Sequence, residues 1–322
     1  MDIQQQFPDV HWLWKGGISF VYEVHPHVVV KVPKSGEFER EQFQKELKIY
    51  EIFSRHSPCP SIVQCFLYTD HGIFLQYMRE SMITKLATSK QKVLSIQVHK
   101  LEPLPLRKEW MNDLAQAVGF LESLNLAHGD LRPKNILLDR NRIKLSDFDS
   151  TAEIGSDFEA CMAPYGRILN SDEQDQGPRG GFGFLGPRTE QFALGSLYYL
   201  INYGFEVYED RQLTEDRKEH GCKVVDLLQD MEFPKLDGDP LIDDIITKCW
   251  HNKYTTIKEL SAYTETLLPA RHNCQDDSAE DLSFKKKKKC QDLDKRGLLQ
   301  MLYLGEPEQL GFKLKWYRDT TN

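Results

Sequence analysis

The stretch His128-Gly129-Asp130-Leu131-Arg132-Pro133-Lys134-Asn135-Ile136-Leu137-Leu138 constrains this chain more than any other. A polar loop, with an Asp and an Asn five residues apart, runs straight into an apolar strand. Twelve residues after Asn135 the segment Lys144-Leu145-Ser146-Asp147-Phe148-Asp149 again sets an acid at a strand end. A turn at Asp139-Arg140-Asn141 separates the two apolar runs and predicts a hairpin across 136–148. Two acids and an amide on short loops between rigid strands suit phosphoryl transfer to a hydroxyl. One carboxylate orients the hydroxyl and accepts its proton. An Asn and a second Asp hold magnesium against the phosphates. Such chemistry is mostly positioning and charge neutralisation.

Upstream the pattern is that of a small β-rich region. Residues 12–32 alternate aromatic and β-branched residues around Gly16-Gly17, and 62–78 read as two strands joined at Asp70-His71-Gly72. Between them, 37–55 has a helical period. Within the run Val28-Val29-Val30-Lys31-Val32, Lys31 lies in a strand buried on at least one face, so its amine needs an anionic partner. At 100° per residue, Phe43, Leu47, Ile49, Tyr50 and Phe53 form one apolar face of the helix, and Glu46 falls within it. An uncompensated buried carboxylate is costly, which makes Lys31 and Glu46 natural partners. Lys34, beyond the apolar run, is the competing lysine.

Downstream the helical period dominates. Trp110, Leu114, Val118 and Leu121 mark one apolar face, 190–202 read as a buried helix, and 240–268 read as helical. Residues 168–188 carry the signals of a long loop. After 271 the composition shifts to Asp276-Asp277 and then to five lysines, Lys285 to Lys289. A linker is expected there. The lysines read either as a solvated stretch balanced by Asp276, Asp277, Glu280 and Asp281, or as a nuclear-import or anionic-surface patch. Leu298-Leu299 and Trp316-Tyr317 are candidates for docking back on the body.

The joint pattern, from about residue 10 to 270, resembles the protein-kinase superfamily. The His128–Asn135 segment is similar to the H-R-D-x-x-x-x-N catalytic loop and Asp147-Phe148-Asp149 to D-F-G. The resemblance implies an α+β, bilobal protein-kinase-like fold: a small β-rich N-lobe with one helix over 1–78, a larger mainly helical C-lobe over 79–270, and a linker and tail over 271–322. It implies Asp130 as the catalytic base and Arg132 as a cation beside the transferring phosphate. Lys31 would pair with Glu46 and bridge the ATP phosphates, and Asn135 and Asp147 would bind Mg2+. Gly16, Gly17, Ser19 and Val21 resemble part of the glycine-rich phosphate loop, with Trp14 and Ser19 standing where the first and third glycines belong. Leu75 is expected as gatekeeper, with the backbone of Gln76 and Met78 toward adenine and Val21, Val29 and Leu137 around the ring. Val29 replaces the usual alanine.

Departures accompany the likeness. Gly129 replaces the arginine that receives a phosphorylated activation loop, and Asp149 replaces a glycine that permits a backbone flip. Gly186-Pro187-Arg188 stands near where A-P-E belongs, and Tyr254 aligns with that glutamate's arginine partner, so both halves of one ion pair are gone together. Glu190 to Gly195 resembles the start of the D-x-W-x-x-G helix. A Ser/Thr-type protein kinase with a protein substrate is the leading expectation. A small-molecule kinase of the aminoglycoside or choline type shares His128-Gly129-Asp130, and a pseudokinase scaffold would account for the altered glycines.

Composition narrows the partners. Net charge is −8 and the sequence pI about 5.7, which disfavours nucleic acid. No apolar run reaches the ~18 residues of a membrane span. The seven cysteines form no C-x-x-C pair, so a reducing cytoplasmic or nuclear setting is expected, without a signal peptide. Oligomeric state is not encoded in any pattern seen.

Overall fold

All six residues of strand β3, Val28–Pro33, are buried, and the first unit is built around that strand. The structure, a computed structural model, describes residues 3–78, 80–82, 98, 100–159, 162–216, 218–269 and 277–313. The chain divides into two compact units. One comprises Met1–Pro58, Val63–Met78 and His272–Asn322; the other comprises Cys59–Ile62 and Arg79–Arg271.

In the first unit, β1 (His11–Lys15), β2 (Ser19–His25), β3, β4 (Cys65–Thr69) and β5 (Gly72–Gln76) form an antiparallel sheet of order β1-β2-β3-β5-β4. A short helix α1 (Ile3–Gln6) precedes it and α2 (Glu37–Phe53) follows β3. Side chains alternate across β3. Val28, Val30 and Val32 enter a core with Phe20, Tyr22, Phe74 and, from the far end of the chain, Cys290, Leu298, Leu299 and Leu302. Lys31 has the opposite parity.

That core corrects the expectation of a linker after 271. Asp277–Lys295 is a helix (labelled α8 below), and Leu298–Tyr303 forms α9. The lysine run lies on α8 with Lys285, Lys287, Lys288 and Lys289 exposed, while Lys286 Nζ sits 5.5 Å from the Phe66 ring centre. Five consecutive lysines sweep right round a helix, so charge alone does not forbid the fold; Cys290 and Leu293 supply its buried side. Leu298 and Leu299 dock as expected, whereas Trp316 and Tyr317 lie outside the described residues.

The second unit opens with β6 (Glu80–Ser81) and α3 (Leu104–Ser123), whose Trp110, Leu114, Val118 and Leu121 are all buried. Next come β7 (Leu126–Ala127), a 3-10 turn over Pro133–Asn135, and the hairpin β8 (Ile136–Asp139)–β9 (Arg142–Leu145). Arg142 Nε donates to Asp113 Oδ2 at 2.8 Å and Trp110 Nε1 to Asn141 O at 2.8 Å, which moors the hairpin on α3. After β10 (Ala152–Glu153) the chain runs largely without regular structure to α4 (Pro187–Tyr203), followed by α5 (His220–Gln229). The single helix expected over 240–268 is two, α6 (Pro240–Trp250) and α7 (Ile257–Glu265). Asn252, at φ 51°, breaks the run, and Thr256 caps the new start by accepting from Glu259 N at 3.1 Å. Among the described residues no helix is long and apolar enough to cross a membrane. Cys59, Cys65, Cys222, Cys249 and Cys290 are free thiols; Cys161 and Cys274 lie outside the described residues.

Candidate active site

In the first unit the sheet and α2 bring Lys31 and Glu46 together. Lys31 Nζ lies 2.6 Å from Glu46 Oε2, and both side chains are buried. What selects Glu46 within the 17-residue helix α2 is its place beside Phe43, Leu47 and Tyr50 on the buried face. Lys34, the competing cation, instead donates to Gly17 O from an exposed position. The 14–21 turn closes through Gly16 N to Ser19 O at 2.9 Å, and Ser19 is buried. Val21 pairs with Lys31 across the ladder, and Lys31 with Ile73 on its other side.

Leu75, Val29 and Met78 are buried and Gln76 half-buried. Gln76 N already donates to Gln64 O at 2.8 Å, so that amide is occupied within the sheet. Among the described residues Met78 makes no backbone hydrogen bond.

In the second unit the hairpin register does the positioning. Ile136 pairs with Leu145, which sets Asn135 beside Ser146 and Asp147 at one end of the hairpin. Ser146 N and Ser146 Oγ both donate to Asn135 O at 2.9 Å. The Asn135 amide donates to Asp130 O at 2.8 Å and to Asp130 Oδ2 at 2.9 Å. Its own Oδ1 is thereby left without a partner among the described residues. Arg132 lies 2.7 Å from Asp130 Oδ2. Asp147 sits at φ 66°, a left-handed conformation that Asp tolerates better than most residues. Leu137, next to Asn135, is half-buried and pairs with Lys144 and Ser81.

His128 is the pivot beneath this loop. Its Nδ1 accepts from Asp130 N at 3.2 Å and its Nε2 faces Ser146 O at 3.1 Å, while Phe148 packs edge-on against the ring. Both contacts suit a neutral ring protonated at Nε2, and complete burial holds the His128 pKa below its ordinary value. Beneath the next turn, Glu190 of α4 accepts from His128 N at 2.8 Å and Gly129 N at 3.2 Å. Burial drives its pKa from 4.5 up to about 7, against the pull of those two donors. Gly129 itself has φ 75°, and a Cβ there would lie 2.7 Å from Ser150 O. The residue missing its arginine is therefore one where backbone and space both favour glycine.

The lost ion pair has a neutral successor that sequence reading missed. The Gln191 amide donates to Pro187 O (3.0 Å), Asn252 Oδ1 (2.6 Å) and Tyr254 O (3.1 Å), and its Oε1 accepts from Tyr254 N (3.2 Å). In Glu190-Gln191-Phe192-Ala193 the one signal of this is a glutamine on a buried stretch of helix.

The donor set suits a hard cation. Asn135 Oδ1 and the Asp147 carboxylate are oxygen ligands, the kind Mg2+ takes. Among the described residues no three His, Cys, Asp or Glu side chains cluster closely enough to hold a metal alone. Remaining ligands would come from phosphate oxygens and water, as Mg2+ prefers.

Comparison with known proteins agrees with this geometry. Residues 13–256 match the family model described as the protein kinase domain. A probable serine/threonine-protein kinase, gdt2, of Dictyostelium discoideum is 24% identical over 258 residues, covering 75% of this chain and 14% of that protein. The dual specificity protein kinase Ttk of Danio rerio is 22% identical over 260 residues, covering 76% of this chain and 25% of Ttk. The serine/threonine-protein kinase MRCK beta of Homo sapiens is 28% identical over 116 residues, 35% of this chain and 7% of its own length. The chain thus spans a small fraction of these relatives. With the family model covering most of its length, the chain belongs to the protein kinase family.

Proposed function

We propose that this chain is an ATP-dependent protein kinase of Ser/Thr type, acting on a hydroxyl of a protein substrate. One observation carries the reading: Asp130 is held at once by the Asn135 amide and by Arg132, in a loop whose hairpin also carries Asp147. A purely structural loop has no reason to concentrate two carboxylates, an amide and a guanidinium in so few residues. In this reading Asp130 orients the acceptor hydroxyl and takes its proton. Asn135 fixes the Asp130 carboxylate and, with Asp147, ligates Mg2+. Arg132 lies beside Asp130 to offset charge near the transferring phosphate. Lys31, oriented by Glu46, holds the ATP phosphates. Gly16, Gly17, Ser19 and Val21 contribute the turn over them, and Val29, Leu75 and the Met78 backbone are the first unit's contacts to adenine. When bound, Mg2+ supplies neutralisation of phosphate charge.

The printed names of gdt2 and MRCK beta support Ser/Thr specificity; that of Ttk makes tyrosine acceptors part of any test. The family match favours a protein over a small-molecule acceptor. Purified chain should show Mg2+-dependent ATP turnover and phosphorylate Ser/Thr peptides in a panel that includes tyrosine peptides and aminoglycosides. ATP should raise the melting temperature by the amount its free concentration over Kd dictates, and more with Mg2+. Melting indifferent to ATP, with no turnover, would leave only a scaffold role.

A further inference from the structure

Within the second unit, a cavity of about 320 Å3 lies where the 176–188 segment meets the α6–α7 turn. Its walls include Gln176, residues 184–187, Arg188, Asn252, Lys253, Tyr254 and Thr255. Two cations, Arg188 and Lys253, and no acid line it. Gln191 clamps its two sides together through the four hydrogen bonds described above.

Arg188 is the anomaly. It is only 8% exposed, yet among the described residues it makes one hydrogen bond, to Phe182 O at 2.6 Å, and no ion pair; its Nε has no partner. Guanidinium stays charged in proteins and carries five donors in a planar fork suited to a carboxylate or phosphate. Glu173 and Asp175 attract Arg188 without forming an ion pair with it, and Glu173 pairs in two-point fashion with buried Arg167. Burial first, and then repulsion by Arg167, lower the Arg188 pKa to about 10 against the pull of those two acids, which still leaves the group charged at neutral pH. A buried, charged, under-satisfied fork is stabilised by an anion.

We propose that this cavity binds an anionic side chain, phosphoryl or carboxylate, carried by the protein acceptor beside its phosphorylated residue. The proposal rests on the protein kinase reading and adds to it a substrate class. Arg188 supplies the two-point contact, and Lys253, exposed at the rim, supplies a second positive charge.

The test uses the full chain with Mg-ATP and sets of otherwise identical Ser/Thr peptides. Alanine, aspartate or phosphoserine is moved through each position flanking the acceptor. One position should give a KM about tenfold lower for the anionic peptides than for the alanine peptide. Arg188→Gln should abolish that ratio and Lys253→Met should reduce it several-fold. Should buried Arg188→Gln fail to fold in a thermal melt, Lys253→Met carries the measurement alone. Equal KM values for alanine and anionic peptides would overturn the proposal while leaving the kinase reading intact. If no peptide is phosphorylated, the kinase reading falls, and fluorescence anisotropy of the labelled phosphoserine peptide decides the cavity separately. Saturable binding weakened by Lys253→Met supports it; the same weak binding for the alanine peptide overturns it. Inorganic phosphate that raises the melting temperature through Lys253, without any peptide preference, assigns the cavity to a free anion and overturns the substrate role.

Discussion

Lys31 and Asp130 both keep their charges out of water, and the two units handle that burial differently. In the first unit an ion pair between a strand and a helix contributes: β3 and α2 place Lys31 Nζ 2.6 Å from Glu46, whose side chain is 1% exposed. In the second, a web of short-range bonds among residues 128 to 148 shares the load, with Asn135, Arg132, Ser146 and His128 each holding another member. A single buried pair strands its partner when one member is removed. A web should lose function before it loses fold.

The comparison can be broken in four ways. Asp130→Asn should reduce peptide phosphorylation by about a thousandfold, within the range for a lost general base, while the melting temperature moves little. A collapse of the fold in that variant would contradict the web. Lys31→Met should behave oppositely to a pure substrate contact: it removes the ammonium 2.6 Å from buried Glu46, at a cost of about 4 kcal/mol in urea unfolding. Lys31→Met combined with Glu46→Leu should recover most of that stability but no activity, and an additive double variant would refute the pairing.

Glu190 tests the web through pH. Its folded pKa, about 7, exceeds the ordinary 4.5, so the protonated form is favoured by folding. Its contribution is fully present below about 4.5 and is lost as pH rises toward 7, by about 3 kcal/mol in total. Unfolding titrations of wild type against Glu190→Gln should show that slope only in the wild type. Smallest is Gln191→Ala, expected to destabilise by about 2 kcal/mol through its lost hydrogen bonds. Because the clasp is neutral, that loss should not change with salt, whereas a charged latch would weaken as ions screen it.

How legible each part was follows from the range of its contacts. The 128–149 segment was readable because its contacts are local: Asp130 and Asn135 are five residues apart, and the Asp139-Arg140-Asn141 turn announces the hairpin whose far strand leads into Asp147. The Lys31–Glu46 pair was readable as well, since a charge inside an apolar pattern declares its need for a partner. The helix over 277–295 was not readable. Its lysines mimic a solvated linker, and only burial of Cys290 and Leu293 in the first unit's core reveals it.

The amino-acid sequence alone determined the order of strands and helices around the site, the acids and amide of the catalytic segment, and the charges that must pair. Those follow from periodicity and from the cost of burying charge, both of which act along the chain. The tertiary structure alone decided that Glu190 would sit beneath the catalytic loop, that Gln191 would replace an ion pair, that Arg188 would be left under-satisfied, and that the C-terminal helices would back β3. Each depends on residues 60 or more positions apart, or on which neighbours fail to arrive, and no local pattern encodes either.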